Sequence, residues 1–381
     1  MSWLIPYNKL DNDQIKFIND FEKGNDNLFI KGYAGCGKSV LLVHILIREK
    51  EKNPNAKIII VTYTHALIDM IKNGLPEELT DIPVVTYFNF RNILSHWDLI
   101  LVDEVQDFPE EDINAIKSKG KRVIIAGDDN QSIYDNVCNI STIESTLQSK
   151  TYILDILHRV SRKIRDIASS FCRDKEGIKA SIMGKLVEND VRLVYAENYD
   201  EECKWLIQTA KEYAASDYST AILIPKHVYI FNFFQKLLEI EGLPPLPNGA
   251  DKNIINEHLK RNGIRFQYLG NGFGSFAKAG VENLVTVMTY HSAKGLDYQA
   301  VFIPFLSSSL EIWRDNPLRA RTLFFVALTR SREQLFLSYS KEKHPLLAEI
   351  NESSFHKINA SDELNKSSFD DFSDGGYIEF F

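Results

Sequence analysis

The sequence predicts an α/β fold in two domains, each built on a parallel sheet with helices on both faces. Three observations carry that prediction. Short runs at 28–30, 57–63, 99–102 and 123–126 are rich in Ile, Val and Leu and apolar on both faces, as strands covered on both sides must be. Longer stretches with apolar residues at helical spacing lie between them, the first from Lys38 to about Lys50. The alternation then restarts, with strands expected at 221–224, 285–289, 300–303 and 335–338 and helices at 228–240 and 318–328. The stretch 242–280, rich in Gly, Asn and Pro, reads as irregular with room for one helix.

Composition bounds the function. The 381 residues are 44% hydrophobic and 25% charged, ordinary for a globular chain and far from a disordered or collagen-like one. No apolar run approaches the roughly 18 residues of a membrane span, and MSWLIPYNKL is not a secretory leader. Cys36, Cys138, Cys172 and Cys203 lack paired or metal-ligand spacing, which suits a reducing cytoplasm. The net charge of −8 is unevenly spread: −6 over 1–150, +4 over 151–345 and −6 over 346–381. These blocks are the expected domains, two folded units and an acidic tail, and the middle one is best suited to a polyanion. The tail, with Phe369, Phe372, Tyr377, Phe380 and Phe381 among its acids, is expected to solubilise the chain, to mimic a nucleic-acid strand or to dock on a partner.

Two motifs carry chemistry. Gly32-Tyr-Ala34-Gly35-Cys36-Gly37-Lys38-Ser39 fits G-x-x-x-x-G-K-[ST], between an expected strand and a helix. Its backbone N–H groups would wrap a polyphosphate, Lys38 would offset phosphate charge, and Ser39 would ligate Mg²⁺. Downstream, the strand 98–102 delivers Asp103 and Glu104 at its carboxyl end, where ligands of parallel sheets bind. One carboxylate, Asp103, would hold the metal with Ser39, and its neighbour Glu104 would orient or deprotonate the attacking water.

In this order the motifs resemble those of the UvrD/Rep/PcrA-like helicases of superfamily 1, over about residues 10–340. The run 10–14 is similar to the adenine-reading Q motif, ending in Gln14; 61–66 to motif Ia, with Tyr63 as its strand-contacting aromatic; and 86–90 to motif Ib, beginning at Thr86. Asp103-Glu-Val-Gln-Asp107 is the family's form of motif II, and 126–134 is close to motif III, with Gln131 as γ-phosphate sensor and Tyr134 toward the strand. Leu157-His-Arg159 stands in the place of motif IV, 289–297 matches motif V, and 326–330 matches motif VI. The resemblance implies two RecA-like P-loop NTPase domains with the ATP site at their interface, ATP and Mg²⁺ as cofactors, and Arg159 and Arg330 as arginine fingers. It also implies nucleotide contacts from Gly295 and Asp297, strand contacts from Tyr63, Thr86, Tyr134 and His291, and 3′-to-5′ movement on single-stranded DNA, with RNA distinguished by family precedent alone.

Departures from the family pattern shape the functional expectation. Only fifteen residues separate Tyr87 from Asp103, and the stretch 242–281 is likewise too short for the second insertion, so neither large inserted subdomain fits. Asp135-Asn-Val-Cys138 replaces a Trp-containing run, Phe88 replaces a histidine, His158 an adenine-stacking aromatic, and Asp297 a glutamate. The expected activity is therefore an ATP-dependent translocase or helicase whose remaining strand grip comes mostly from Lys and Arg of the second domain. The alternative is a DNA-responsive ATPase subunit regulating a partner nuclease, a picture that compact UvrD-like proteins of anti-phage systems such as Gabija resemble.

Overall fold

The computed structural model describes residues 3–184, 191–270, 273–312 and 316–373. The first sheet contains β1 (Leu28–Gly32), β2 (Ile58–Thr62), β3 (Val84–Thr86), β4 (Trp97–Val102), β5 (Gly120–Gly127) and β6 (Lys150–Leu154), in the spatial order β3-β2-β4-β5-β1-β6. A parallel pair, β7 (Ile156–Leu157) and β8 (Ile182–Met183), follows. The second sheet contains β9 (Val191–Ala196), β10 (Thr220–Ile224), β11 (Phe266–Tyr268), β12 (Val285–Thr289), β13 (Tyr298–Ile303), β14 (Ser331–Ser340) and β15 (His356–Asn359), ordered β11-β12-β10-β13-β14-β9-β15. Every named pairing in both sheets is parallel, and the central strands β2 and β10 are buried at all five positions, as their unbroken Ile/Val/Leu runs require.

Helices α1 (Asn12–Lys23), α2 (Lys38–Lys52), α3 (His65–Gly74), α4 (Tyr87–Arg91), α5 (Glu110–Lys119) and α6 (Ile140–Leu147) accompany the first sheet. Helices α7 (Arg162–Ser169) and α8 (Lys175–Ala180) follow β7; α9 (Tyr199–Ala215), α10 (His227–Ile240), α11 (Lys252–Arg261), α12 (Phe276–Val281), α13 (Pro317–Leu328), α14 (Pro345–Ala348) and α15 (Ala360–Ser373) accompany the second sheet. One apolar cluster runs through both units: Leu41 and Ile45 of α2 and Ile30 of β1 connect through Leu157, Ile164, Ile167 and Phe171 to Leu323–Leu328 of α13 and to Leu335 and Leu337 of β14. Phe171 packs edge-on against Phe324, with ring centroids 4.9 Å apart. The segment 156–184 thus fills the space between the two sheets. Its position fixes which loops of one unit face the other.

Two readings of the sequence need revision. The stretch 242–280 holds the one helix expected, α11, whose Ile255 and Leu259 enter the second core, but also the three-residue strand β11 and the start of α12. A strand that short shows no periodicity to read. The tail expected from 346 starts later, because 356–359 pairs along β9 in register from His356↔Arg192 to Asn359↔Tyr195, and Ala360 is buried at the start of α15. In the largely polar sequence HKIN only Ile358 packs against the second core, and the strand is held mainly by its main-chain pairing at the sheet edge. The aromatic residues 369, 372, 377, 380 and 381 lie outside the described side chains.

Deleting residues 356–381 should therefore expose the β9 edge, lower the urea midpoint and promote self-association on gel filtration. A merely solubilising tail would leave the midpoint unchanged.

Candidate functional site

The loop between β1 and α2 is shaped by two glycines. Gly35 and Gly37 have φ of +86° and +91°, where side-chain-bearing residues are strained. A Cβ on Gly35 would lie 2.7 Å from Cβ of Arg159, and one on Gly37 would lie 2.5 Å from Nε2 of Gln14. A Cβ on Gly32 would meet Sγ of Cys36 at 2.6 Å, and Ala34 and Cys36 are themselves buried. Gln14, 3% exposed, sits at the third position of α1 in a capping box with Asp11: its Oε1 accepts from the Asp11 N–H (3.1 Å), while its Nε2 donates to the carbonyl of Cys36 (3.0 Å). The amide expected to read a base is here bracing the loop. Lys38 folds its ammonium back over the loop, donating to the carbonyls of Gly32 (2.8 Å) and Tyr33 (3.1 Å). Burial opposes its charge, but Cys36 and the Asp128, Glu104 and Asp103 carboxylates more than offset that, leaving its pKa above the usual value.

Strand β4 ends at the two carboxylates. The Ser39 hydroxyl donates to Oδ2 of Asp103 at 2.6 Å, while Oδ1 accepts from the N–H of Glu104, whose φ of +56° turns its side chain back into the site. Burial pushes Asp103 up to about 6. Glu104 is equally buried, yet Lys294 and Lys38 outweigh burial and hold it below the usual carboxylate range. Neighbouring acids driven in opposite directions are suited to different tasks.

From Glu104 a hydrogen-bonded path crosses to the second sheet. Gln106 donates to Glu104 (2.5 Å) and accepts from the N–H of Asp128 (3.0 Å); Gln131 donates to Asp128 (2.7 Å) and accepts from Nη2 of Arg330 (2.7 Å). Arg330, about 1% exposed, also donates to the carbonyls of Val326 (2.9 Å) and Leu296 (3.2 Å), and burial together with Arg159 pushes its pKa down to about 9. Lys294, equally buried, pairs with Asp107 and donates to the carbonyl of Gln131. Beside the loop, Arg159 donates to Asp297 (3.2 Å) and to the carbonyl of Thr329 (3.1 Å), and the N–H of His158 donates to the carbonyl of Gly35 (3.0 Å).

The structure thus gathers Gln14, Gly32, Ala34, Gly35, Cys36, Gly37, Lys38, Ser39, Asp103, Glu104, Gln131, Arg159 and Arg330 around one cradle, with Asp297 attached through Arg159. Gly295 departs from its expected place: at φ +79° its Cα faces Leu67 of α3, where a Cβ would lie 2.3 Å from Cδ2, so its smallness serves contact between the two units. Lys294, Gln106, Asp107 and Asp128 were not foreseen as site residues. Each lies within one of the motifs 103–107, 126–134 and 289–297, but the pairing of Lys294 with Asp107 spans 187 positions, which no local pattern shows.

A second set lines a cleft of about 620 Å³ between the units, bounded by Tyr63, Thr86, Tyr87, Phe88, Tyr134 and His291, among others. Tyr63 stacks on Tyr134 (centroids 4.2 Å, planes 24° apart) and on Tyr87 (4.8 Å, 22°). Thr86 caps α4, accepting from the N–H of Asn89. Burial, with the charges of Arg319, His227 and Lys294, pushes His291 down to about 4, so its imidazole is neutral at ordinary pH. The Lys- and Arg-rich grip expected of the second domain is not found here. Among the described residues lining the cleft the one lysine or arginine is Lys226, and it is ion-paired with Glu311.

Two outcomes follow from these contacts. Gly37→Ala should destabilise the fold by more than about 1 kcal/mol, from backbone strain and collision with Gln14, and weaken binding of a fluorescent ATP analogue. Because the His291 pKa is depressed in the folded state, its contribution to stability is present above about 6.5 and lost as pH falls through about 4. His291→Gln should flatten the fall in unfolding free energy across that window, as read by urea titrations at pH 7, 5.5 and 4.

Comparisons with known proteins match the two halves of the chain separately. A model of the UvrD-like helicase C-terminal domain matches residues 255–342, and an AAA domain model matches 19–136. The chain is 34% identical over 117 residues to a probable DNA helicase II homolog of Mycoplasma pneumoniae, covering 29% of this chain and 14% of that one. It is 36% identical over 67 residues to the ATP-dependent DNA helicase Rep of Buchnera aphidicola, covering 16% and 10%. The matched segments therefore span well under a fifth of either relative. Among solved structures, the Arterivirus nonstructural protein 10 helicase with DNA aligns over 86% of this chain and 62% of that one at 16% identity, with a TM-score of 0.43. The two domain models matched in order, together with the two helicase relatives, support a UvrD-like helicase of superfamily 1.

Proposed function

We propose that this chain hydrolyses ATP between its two sheets and uses the resulting closure and opening to move along single-stranded DNA. One observation carries the reading: two short loops each serve both sites. The loop after β5 places Gln131 in the path from Glu104 to Arg330 and, three residues later, Tyr134 in the cleft. The loop after β12 places His291 in the cleft and Lys294, again three residues later, against Asp107 and Gln131. A change in what Gln131 and Lys294 contact cannot leave Tyr134 and His291 unmoved, so nucleotide state and strand contact are mechanically linked.

In this reading Gln131 senses the γ-phosphate, Glu104 holds the attacking water, and Arg330 and Arg159 face the charge that develops in the transition state. Ser39 and Asp103, a hydroxyl and a carboxylate already 2.6 Å apart, fit a Mg²⁺ ion, which would neutralise phosphate charge. Movement in the 3′-to-5′ direction follows family precedent. A second reading, a strand-responsive ATPase regulating a partner nuclease, is favoured by the short connection between β3 and β4, where only α4 and a brief loop stand. It is favoured also by the scarcity of cations in the cleft.

ATP turnover of the full chain with no nucleic acid, single-stranded DNA, single-stranded RNA and duplex is the deciding measurement. Stimulation by single-stranded DNA supports the reading, and indifference to all three refutes it. Glu104→Gln should keep nucleotide affinity while lowering turnover by about 10²- to 10⁴-fold. Arg330→Lys, which keeps the charge but loses the forked geometry, should reduce kcat more than it changes KM. Efficient unwinding of a duplex of several tens of base pairs by the isolated chain would favour the translocase over the regulatory subunit.

A further inference from the structure

We propose that Phe88 is the base-stacking platform of the cleft, taking the role the sequence suggests for Tyr63. The inference rests on the single-strand reading above and names the side chain that grips the strand.

Tyr63 has no face to offer a base. Tyr134 and Tyr87 both lie nearly parallel to it, with centroids 4.2 and 4.8 Å away. Two rings of that size cannot share one face at such distances, so Tyr63 is covered on both sides. The outer members of the pile are engaged too. Tyr87 meets Phe108 (5.4 Å) and the Arg91 guanidinium (5.6 Å), and Tyr134 meets His291 (6.1 Å). Inserting a base would require breaking an aromatic stack that already earns its own stabilisation.

Phe88 stands beside this pile with the opposite character. It follows Tyr87 on α4, lines the same cleft, and is 63% exposed. The polar lining around it consists of hydroxyls and amides, including Thr64, Thr86, Asn89, Thr289 and Ser292. Its lysine is paired with Glu311, and burial lowers the pKa of both His227 and His291, so neither adds charge at neutral pH. Among the described residues lining the cleft, a strand finds hydroxyl and amide donors for its phosphates and a single, ion-paired lysine. Its affinity must then depend heavily on stacking, and the open aromatic face belongs to Phe88.

The experiment measures binding of fluorescein-labelled oligothymidine to the full chain by anisotropy, using wild type, Phe88→Ala and Phe88→Trp, with an abasic oligonucleotide of equal length as control. Phe88→Ala should weaken oligothymidine binding by about 5- to 150-fold and leave the thermal midpoint unchanged. Phe88→Trp should restore the affinity, and on the abasic strand all three proteins should bind alike. Equal oligothymidine affinity of wild type and Phe88→Ala, or an equal loss on the abasic strand, overturns the proposal. Failure of wild type itself to bind oligothymidine overturns the single-strand reading, and this inference falls with it.

Discussion

A guanidinium buried between two sheets, that of Arg330, sets the terms for the rest of this molecule. Taking it out of water is costly unless its donors find acceptors, and it finds them at Val326, Leu296, Thr329 and Gln131. Three of the four belong to its own unit. The fourth, the side-chain oxygen of Gln131, comes from the other, so a saturated Arg330 and closed domains are the same event. Gln131 can present that oxygen because its nitrogen is committed to Asp128. Lys294 adds a second buried cation whose acceptors, Asp107 and the Gln131 carbonyl, also lie across the junction. Opening the units would leave both cations short of partners.

Close approach is the second constraint. The phosphate-loop glycines stand where any Cβ would strike Gln14 or Arg159, and Gly295 stands where it would strike Leu67. Glycine therefore serves two purposes here: it supplies the left-handed backbone, and it lets α1, the 156–159 segment and α3 come within van der Waals distance of loops that must hold their shape. His158 extends the same scaffold, its Nε2 lying 2.7 Å from Asp11, the residue that caps α1. The base end of the cradle is thus fastened to the loop it adjoins.

The two carboxylates after β4 show how environment divides identical chemistry. Both are buried, but Asp103 faces a hydroxyl and an acidic neighbour, while Glu104 lies 4.0 Å from the Lys294 ammonium and accepts from Gln106. Burial raises the first, and the cations lower the second. Since Lys294 comes from the second unit, part of what holds Glu104 below the usual carboxylate range is supplied across the junction, with Lys38 and Gln106 adding to it from its own unit.

The sequence by itself determined the parallel α/β class, the order of the central strands along the chain, and the local chemistry of the phosphate loop and of Asp103 and Glu104. All of these depend on runs of a few neighbouring residues, such as 28–39 and 98–104, whose pattern directly reflects burial on two faces or the turn a glycine permits. Tertiary structure alone decided the pairing of polar 356–359 with β9, since an edge strand held by main-chain bonds leaves little trace in side-chain pattern. It decided also that Gln14 braces the loop, that Gly295 meets Leu67, and that Lys294 joins the site through Asp107. The three tyrosines 63, 87 and 134 are each visible in sequence as aromatic residues near a strand end. That they stack on one another, and leave Phe88 open, depends on distances between three separate loops, and local sequence carries no term for a distance between segments that meet only after the chain has folded.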